Sequence, residues 1–187
     1  RTLYQTMYKK ALEGAPDCGG IMAFNYLSGE PVTNMDEGRP LLFRKPDTAF
    51  SLANVMRAHL TSAVASLRIG MDILSAEQVE LDAMTGHGGF FKAEGIGQKI
   101  MSAALGTPVT VMETASEGGP WGMAVLAAYL MNKSKDEPLS DYLNERVFRG
   151  AKSVTLAATE EEAAGFAAFI EAYTKCLAVE QTAVQAY

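Results

Sequence analysis

Two clusters of glycine stand where the sequence pattern changes from strand to helix. The first is Met84-Thr85-Gly86-His87-Gly88-Gly89, and the second is Gly118-Gly119-Pro120 with Gly122 two residues further on. Glycine lets the backbone take positive φ angles and lets a ligand approach the main chain closely. Free amides at the start of the following helix favour an anion such as phosphate. The clusters therefore predict a binding site for a phosphate-bearing ligand. Main-chain NH groups, rather than side-chain cations, would form this site.

The clusters taken alone do not identify their ligand. The chain has no Gly-x-x-x-x-Gly-Lys-Ser/Thr run, which excludes a P-loop. Gly95-Ile96-Gly97 resembles the start of a dinucleotide fingerprint, but the third glycine is missing and the run lies within a helical stretch. On the local pattern, a tight strand-to-helix turn without a ligand is the simpler interpretation of the first cluster.

The charged and aromatic side chains near the clusters add little to this picture. His87 could touch a phosphate, although an exposed loop histidine is the simpler interpretation. Lys92 and Lys99 could neutralise a phosphate, but a solvated helix face is expected more often for both. Trp121 could stack on a base, yet an aromatic residue at a helix start more often joins the core. Asp82 could orient a metal-bound water, but no partner carboxylate is apparent, so we assign no metal ligand and no catalytic residue.

Composition and charge exclude several classes of protein. The chain has 187 residues, 48% of them hydrophobic, and a net charge of −6. Such a chain repels DNA and RNA, which bind basic faces. Its two cysteines and two histidines fit no zinc spacing, and the cysteines are more often reduced thiols than a disulfide in a protein of this kind. No apolar run approaches the roughly 20 residues that span a bilayer, so we expect one cytoplasmic domain without a membrane partner.

The first part of the chain is predicted to be helix, strand, loop and helix. Leu3–Leu12 has apolar residues near helical spacing, Ile21–Tyr26 suits a strand, and Ser28–Pro40 is rich in loop residues. The clearest helix runs from about Ser51 to Leu74, with one continuous apolar stripe. Arg57 within this helix is expected to pair with a nearby acid.

A repeated strand-loop-helix pattern follows. Val79–Met84 and Val109–Met112 are the predicted strands, and each precedes a glycine cluster. Helices ending near Leu105 and Met131 complete the two units. Strands that alternate with helices indicate an α/β domain with parallel pairing.

The last third of the chain is predicted to pack back onto this domain. A short helix over Leu139–Phe148 and a strand over Ser153–Leu156 come first. Thr159 with Glu162 three residues on forms a capping box at the start of the last helix. One face of that helix carries Phe166, Phe169, Ile170, Tyr173 and Leu177. An apolar face of this size needs a partner, and we find neither a repeat nor a second domain.

Four segments, taken in order, form a longer pattern. Tyr26-Leu27-Ser28-Gly29-Glu30-Pro31 comes first, and Arg57-Ala58 starts a helix. The segment from Leu81 to Gly89 leads to the strand Thr107-Pro108-Val109-Thr110-Val111, and Glu117 to Ala128 closes the series. From about Gly20 to Leu130 the series resembles the FGGY family of carbohydrate kinases. The segments match that family's "yl-x-GER" loop, "RA-x-x-EG" helix, adenosine motif and "EA-x-x-x-GAA-x-LAA" helix.

This resemblance implies an α/β fold of the ribonuclease H-like, actin-like ATPase type, here an incomplete lobe with flanking helices. ATP would lie between this lobe and the protein's own N-terminal lobe, with the sugar mainly on the latter and Mg²⁺ held with its help. Carried over by position, the first nucleotide-binding set is Gly86, His87, Gly88 and Gly89, whose glycines would lie against the ribose and α-phosphate. The second set is Gly118, Gly119, Pro120 and Gly122, which would help wall the adenine.

The chain also departs from the family pattern. The usual "EG" is Thr61-Ser62, and the Trp and Asp common in the helix after the glycine loop are Gly97 and Ala103. The family's Asp-Gly-Thr phosphate loop and catalytic aspartate would, by order, precede Arg1, and the strands that open the lobe are not found. We therefore expect the segment alone to be inactive.

The leading hypothesis is the C-terminal ATP-binding lobe of a kinase that transfers the γ-phosphate of ATP to a ketose or polyol, with a pentulose such as ribulose or xylulose favoured. One alternative is a non-catalytic actin-like module for assembly or regulation, which the departures from the pattern support. Another is an unrelated α/β domain whose glycine loops are mere turns. The sequence sets neither the sugar nor the oligomeric state, so a homodimer stays open.

Overall fold

The computed structural model describes residues 2–93, 95–113 and 118–187. The helices are α1 Thr2–Ala11, α2 Leu52–Ser62, α3 Ala65–Ala76, α4 Ile96–Leu105, α5 Gly118–Asn132, α6 Leu139–Tyr142 and α7 Glu160–Ala186. The strands are β1 Ile21–Phe24, β2 Leu41–Arg44, β3 Met84–Gly86, β4 Val109–Met112 and β5 Ser153–Leu156. Short 3₁₀ turns cover Cys18–Gly20, Pro31–Thr33 and Gly89–Phe91, and a π-helical turn over Leu143–Val147 continues α6. In this part of the chain, no helix is both long and apolar enough to cross a membrane.

The strands form two small sheets. In the first sheet, β1 and β2 pair antiparallel, with Ile21 opposite Arg44. In the second sheet, β3 and β4 pair parallel, and β5 pairs antiparallel with the other edge of β4. The predicted parallel pairing is therefore confirmed for β3 and β4, and the bounds predicted for β4 and β5 agree with the structure. Because β3 and β4 are parallel, the segments that follow them leave the sheet at the same edge.

Strand β3 is shorter than the sequence pattern predicts. Strand was expected over Val79–Met84, whereas the structure has Met84–Gly86. Gln78 has a left-handed φ of 58°, and the NH of Val79 donates to the carbonyl of Leu74. This is a tight C-terminal turn of α3, and the residues after it run exposed over the surface, Asp82 among them. The prediction of a strand around Asp82 was wrong.

The long helix predicted from Ser51 to Leu74 is divided into two. Helix α2 ends at Ser62 and α3 begins at Ala65, and Val64 between them has φ −112° and ψ 2°, outside the helical region. Leu52 is 57% exposed and Leu67 is 41% exposed, so the apolar stripe is not one buried face. Apolar spacing cannot reveal such a break, because both helices continue the same periodicity.

The buried face of α2 is largely polar. Ser62 Oγ donates to the carbonyl of Ala23 in β1 at 2.6 Å. Arg57 is 5% exposed, and its guanidinium donates to the carbonyl of Gly14 at 3.2 Å. Arg57 therefore anchors the loop after α1 from inside the protein. The sequence suggested that it pairs with a nearby acid, and its charge does help to lower the pKa of Glu162.

Helix α7 forms part of the core, as its apolar face predicted. Its capping box is present: Thr159 Oγ1 accepts from the NH of Glu162 at 3.2 Å, and the Glu162 carboxylate accepts from the NH of Thr159 at 2.9 Å. Phe169 and Tyr173 pack on β1 in one apolar cluster, and Phe166 packs on α4 in a second. The last helix thus joins the two sheets into one body.

Helix α7 also fixes the loop that follows β1. The hydroxyl of Tyr173 donates to the hydroxyl of Tyr26 at 2.9 Å, and Thr33 Oγ1 donates to the same oxygen at 3.2 Å. Farther along the helix, the fully buried Glu180 accepts from the NH of Arg39 at 2.6 Å. Through Tyr173 and Glu180, helix α7 therefore fixes both ends of the segment from Tyr26 to Arg39.

Candidate functional site

The first glycine cluster divides into one buried residue and two open ones. Gly86 is the last residue of β3, and a Cβ there would lie 2.6 Å from the ring of Phe91. Gly88 has a φ of 95°, which an L side chain rarely adopts. Among the described residues, no atom lies within 4 Å of a Cβ built on Gly88 or Gly89. The open main chain of this turn is therefore at Gly88 and Gly89, whereas Gly86 makes room for Phe91.

The second glycine cluster is helical. Gly118 begins α5, so Gly119, Pro120 and Gly122 belong to its first turns, which confirms the prediction that this cluster opens a helix. Proline at an early helical position is compatible with this arrangement, because its missing NH has no acceptor within the helix. Glu117, which the family pattern places just before this helix, lies outside the described residues.

The structure brings the two clusters together. A Cβ built on Gly118 would lie 2.9 Å from the Cβ of His87 and 3.3 Å from its ring nitrogen Nδ1. The turn after β3 and the start of α5 therefore share one surface. His87 itself is exposed, as the sequence indicated.

A cavity of about 530 Å³ lies at the carboxyl ends of β3 and β4. Its walls include Phe91 from the turn after β3, Met112 and Glu113 from the end of β4, and Ser153 and Val154 from β5. In sheets with parallel strands, ligands bind outside the carboxyl ends of the strands. The two glycine clusters follow β3 and β4 at this same edge.

Side-chain charges near the two clusters are few and partly paired. Lys99 lies 3.4 Å from the carboxylate of Glu162. Burial alone would raise the pKa of Glu162, but hydrogen bonding from Thr159 and the charge of Lys99 together lower it. Over residues 2–93, 95–113 and 118–187, no group of three His, Cys, Asp or Glu side chains is arranged to hold a metal ion. Lys92 and Lys152 line the cavity at the carboxyl ends of the strands, so an anion there would lie near side-chain cations as well as the main chain.

Gly97 explains one departure from the expected family pattern. A Cβ at position 97 would lie 2.5 Å from the carbonyl oxygen of Phe90 and 2.9 Å from its ring. The turn after β3 thus lies directly against α4, and Phe90 fills the space into which a side chain at position 97 would project.

Trp121 lies within the first turns of α5 and contacts the end of the α6 segment. Its ring centroid is 5.6 Å from that of Phe148. The helix around it is apolar, yet within α5, all of whose residues are described, no residue is buried. Met123, Leu130 and Met131 are 69%, 71% and 84% exposed. This apolar surface of α5 has no covering element in the described chain.

Sequence reasoning missed the approach of α1 to the first glycine cluster. A smaller cavity, of about 210 Å³, is lined by Tyr4, Gln5 and Tyr8 of α1 together with Gly89, Lys92 and Ala93. The available signal was two tyrosines four residues apart on a short helix. Their periodicity suggested only an amphipathic helix, because the contact with Gly89 is made through the tertiary fold.

Comparison with known proteins gives one family match and several structures of similar fold. The family described as "FGGY family of carbohydrate kinases, C-terminal domain" matches residues 2–131. No curated protein sequence matches the chain. The structure is similar to that of a xyloylose kinase from Brucella ovis, with a TM-score of 0.69 and 19% identity over 98% of this chain and 36% of that one.

Two further solved structures share the fold. Gluconate kinase from Lactobacillus acidophilus has a TM-score of 0.69 and 16% identity over 91% of this chain and 33% of its own. Glycerol kinase from Plasmodium falciparum, solved with ADP, has a TM-score of 0.65 and 16% identity over 94% of this chain and 33% of its own. The chain thus spans about a third of the length of these proteins. Their likeness confirms the predicted α/β, actin-like lobe with flanking helices.

Proposed function

The chain belongs to the FGGY family of carbohydrate kinases, and we propose that it forms the ATP-binding lobe of an enzyme that phosphorylates a ketose or polyol. The γ-phosphate of ATP would pass to a hydroxyl of the sugar. The observation that carries this proposal is the contact between Gly118 and His87. It joins the open main chain at Gly88 to the first turn of α5, at the edge of the sheet where ligands of such folds bind.

The start of α5 suits a phosphate. Gly118 and Gly119 begin a helix of 15 residues, and the first amides of a helix have no acceptor within it. Those amides and the helix dipole favour an anion. Gly119 keeps a side chain away from the approaching group, while the missing side chain of Gly118 makes room for His87. An acidic protein would hold a polyphosphate here in this way.

The proposed nucleotide-binding residues are Gly86, His87, Gly88, Gly89, Gly118, Gly119, Pro120 and Gly122. Gly88 and Gly89 would offer their main chain directly, since the space beside them is open. Gly86 would act through packing, because its hydrogen leaves room for the Phe91 ring. His87 would set the distance between the two turns through its contact with Gly118.

The protein's own N-terminal lobe is the proposed partner. The apolar side chains of α5 are exposed, and β3 lies at the edge of its sheet with one side unpaired by the described strands. Large exposed apolar patches and open strand edges are usually covered by another element. The solved structures with this fold are about three times longer than this chain, which leaves ample polypeptide to supply that cover.

Phosphoryl transfer would depend on both lobes. It requires in-line positioning and neutralisation of charge, and a bound Mg²⁺ ion would supply much of that neutralisation. We propose that the N-terminal lobe provides the general base and most of the metal ligands. The lobe formed by the present chain would contribute the nucleotide-binding site. Closure of the two lobes on each other would exclude water from the transferred phosphate.

A pentulose such as ribulose or xylulose is the favoured acceptor. Solved structures of similar fold include proteins named as xylulose, gluconate and glycerol kinases, so the family fold accommodates ketoses, acids and polyols.

A cytoplasmic location is proposed because Cys18 and Cys176 are both free thiols, as is usual in a reducing compartment.

The experiment is an ATP-consumption assay on the full-length polypeptide that carries this lobe, with ribulose, xylulose, gluconate and glycerol as acceptors. Gly88→Ala tests the role of the turn after β3 in nucleotide binding, and Gly106→Ala is its control. Both glycines have positive φ, 95° and 67° respectively, and both face open space, but Gly106 lies at the far end of α4. Alanine costs about 1–2 kcal/mol at Gly106, which is left-handed helical with a ψ of 14°. At Gly88 the ψ of −171° lies in a region essentially restricted to glycine, where alanine costs about 1–3 kcal/mol, so the free energy of unfolding of both variants is measured alongside the KM.

We expect sugar-dependent ADP formation, a KM for ATP raised roughly tenfold or more in Gly88→Ala, and an unchanged KM in Gly106→Ala. The same rise in both variants would assign the effect to folding rather than to the nucleotide seat. A full-length protein that binds ATP but phosphorylates none of the four acceptors would favour the non-catalytic module instead.

A further inference from the structure

A cleft beside the first sheet has no role in the proposal above. Its volume is about 320 Å³, and residues of β1, β2 and α7 line it. None of these residues also lines the cavity at the carboxyl ends of β3 and β4. The cleft is therefore a separate space, formed by the other sheet of the protein.

The inner walls of the cleft are apolar. Ile21 and Met22 of β1 and Phe169 of α7 are buried side chains that line it. Phe43 from β2 and Ala172 from α7 add to the same walls. The small side chain at position 172 leaves open a space that a longer residue on this face of the helix would fill. Burial of apolar surface from water is favourable, so the cleft suits a ligand with an apolar body.

The charged side chains that line the cleft are two cations and one acid. Arg44 and Lys45 come from the end of β2, Asp17 precedes β1, and all three are exposed. Asp17 already accepts from the NH of Gly19 at 2.9 Å. Neither cation forms an ion pair with a carboxylate of the described residues. One positive charge is therefore in excess, and a ligand with a single negative charge would balance it.

Arg44 is held in position by contacts that leave part of its guanidinium available. Its Nη1 donates to the carbonyls of Lys45 at 3.2 Å and Pro46 at 3.4 Å. The guanidinium also lies over the ring of Phe50, 5.1 Å from the ring centroid. Nε and Nη2 donate to no described residue. Because a guanidinium can bind a carboxylate through two parallel hydrogen bonds, these nitrogens provide a suitable and preorganised donor pair.

We propose that this cleft binds a small monocarboxylate with an apolar body, such as an arylalkanoate. Arg44 binds the carboxylate, Lys45 adds a second positive charge, and the apolar body lies against Phe43 and Phe169. The volume lies at the lower end of the roughly 300–1,000 Å³ that ligand pockets occupy. A polyphosphate does not match the cleft, because its walls are apolar and only one positive charge is in excess. The site is thus independent of the proposed nucleotide site.

The test is isothermal titration calorimetry of the full-length polypeptide with two probes. Phenylbutyrate carries the charge, and phenylbutyramide has the same apolar body without it. Arg44→Gln removes the cation, and Arg149→Gln, at an exposed position outside the cleft, removes an equal charge as its control. Ala172→Leu fills the cleft. Its control is Ala167→Leu, on an exposed face of the same helix that does not line the cleft.

We expect phenylbutyrate to bind the wild type roughly tenfold or more tightly than phenylbutyramide, because a charged hydrogen bond is stronger than a neutral one. Arg44→Gln should weaken phenylbutyrate by a similar factor and leave phenylbutyramide unchanged. Ala172→Leu should weaken both probes at least about tenfold, since the added side chain excludes the apolar body. Arg149→Gln and Ala167→Leu should bind both probes as the wild type does.

Three results would overturn the proposal. They are absence of phenylbutyrate binding to the wild type, equal affinity of the two probes, and unchanged binding in Ala172→Leu. The first would show that the rest of the polypeptide covers the cleft, and the last would place the probe elsewhere. Position 172 is exposed and leucine is a good helix former, so the variant is expected to fold. Should it unfold, the comparison of the two probes in Arg44→Gln still decides the question. Loss of the kinase proposal would not affect this site.

Discussion

Gly118 lies so close to His87 that a Cβ at position 118 would be 2.9 Å from the Cβ of His87. The Cβ atom of a folded protein essentially never lies this close to an atom of a residue distant in sequence. The contact between the turn after β3 and the start of α5 therefore depends on the absence of a side chain at Gly118. Two segments that are about thirty residues apart in sequence are joined at this position.

Gly118→Ala is expected to force the two turns apart. Alanine is favoured over glycine in a helix by about 1 kcal/mol, but overpacking costs about 1–3 kcal/mol. We expect a net decrease in the free energy of unfolding, measured by urea denaturation. Adding His87→Gly removes the opposing Cβ and should restore stability, whereas adding His87→Ala keeps that atom and should not. Equal rescue by both second substitutions would contradict the contact as described.

Gly97→Ala is expected to be more damaging than a glycine replacement in an open helix position. The new methyl group would lie 2.5 Å from the Phe90 carbonyl oxygen, and a backbone atom cannot move aside as a flexible side chain can. Overpacking of this kind costs about 1–3 kcal/mol. Gly122→Ala is the control, because no described atom outside its own turn of helix lies within 4 Å of its Cβ position, and it should gain about 0.5–1 kcal/mol. Thermal unfolding of both variants compares them, and a loss in Gly122→Ala equal to that in Gly97→Ala would refute the steric argument.

Glu180 should tolerate loss of its charge better than loss of its side chain. One carboxylate oxygen accepts from the NH of Arg39 at 2.6 Å, while the other is buried with no hydrogen-bond partner in the described chain. Glu180→Gln keeps the acceptor and removes a buried charge, so stability should stay within about 1 kcal/mol of the wild type. Glu180→Ala leaves the Arg39 NH without its partner and should cost about 1–3 kcal/mol. Urea unfolding at pH 7 measures both, and an equal loss in the two variants would show that the charge itself is required.

Alkaline pH should destabilise the protein through Cys18. Burial raises the pKa of this thiol from its ordinary 9.0 to about 12, although a hydrogen bond with Thr61 acts in the opposite direction. The folded state therefore keeps the proton while the unfolded state loses it, and stability falls as pH rises from about 9 towards 12. The slope for one such group is about 1.4 kcal/mol per pH unit.

Burial likewise raises the pKa of Tyr173, which adds to this loss above pH 10. Urea unfolding from pH 8 to 10.5 is the measurement, with Cys18→Ala as the comparison. The stability advantage of the wild type over Cys18→Ala should shrink as pH rises. A constant difference between the two proteins would argue that Cys18 is not buried as a thiol.

Local signals predicted a large part of the fold. The capping box at Thr159 and Glu162 marks the start of α7 correctly, because both hydrogen bonds are made within four residues. Strand β4 and helix α5 were also found, since glycine and proline mark their ends. These features depend on neighbouring residues, which the sequence shows directly.

Features that depend on distant contacts were not predicted. The break at Val64 lies within an unbroken apolar periodicity, and strand β2 is a four-residue segment whose role depends on pairing with β1. At the site, the sequence identified both glycine clusters and the resemblance placed them near one ligand. It did not indicate that Tyr4 and Tyr8 lie beside Gly89, because more than eighty residues separate α1 from that turn.

The packing of α4 against the turn after β3 has a consequence for how related sequences can vary. With glycine at position 97, the main chain and ring of Phe90 occupy the space beside the helix. A relative with a bulky residue at position 97 must route this segment differently and forgo the aromatic ring at position 90. The residues at positions 90 and 97 are therefore expected to vary together among homologues.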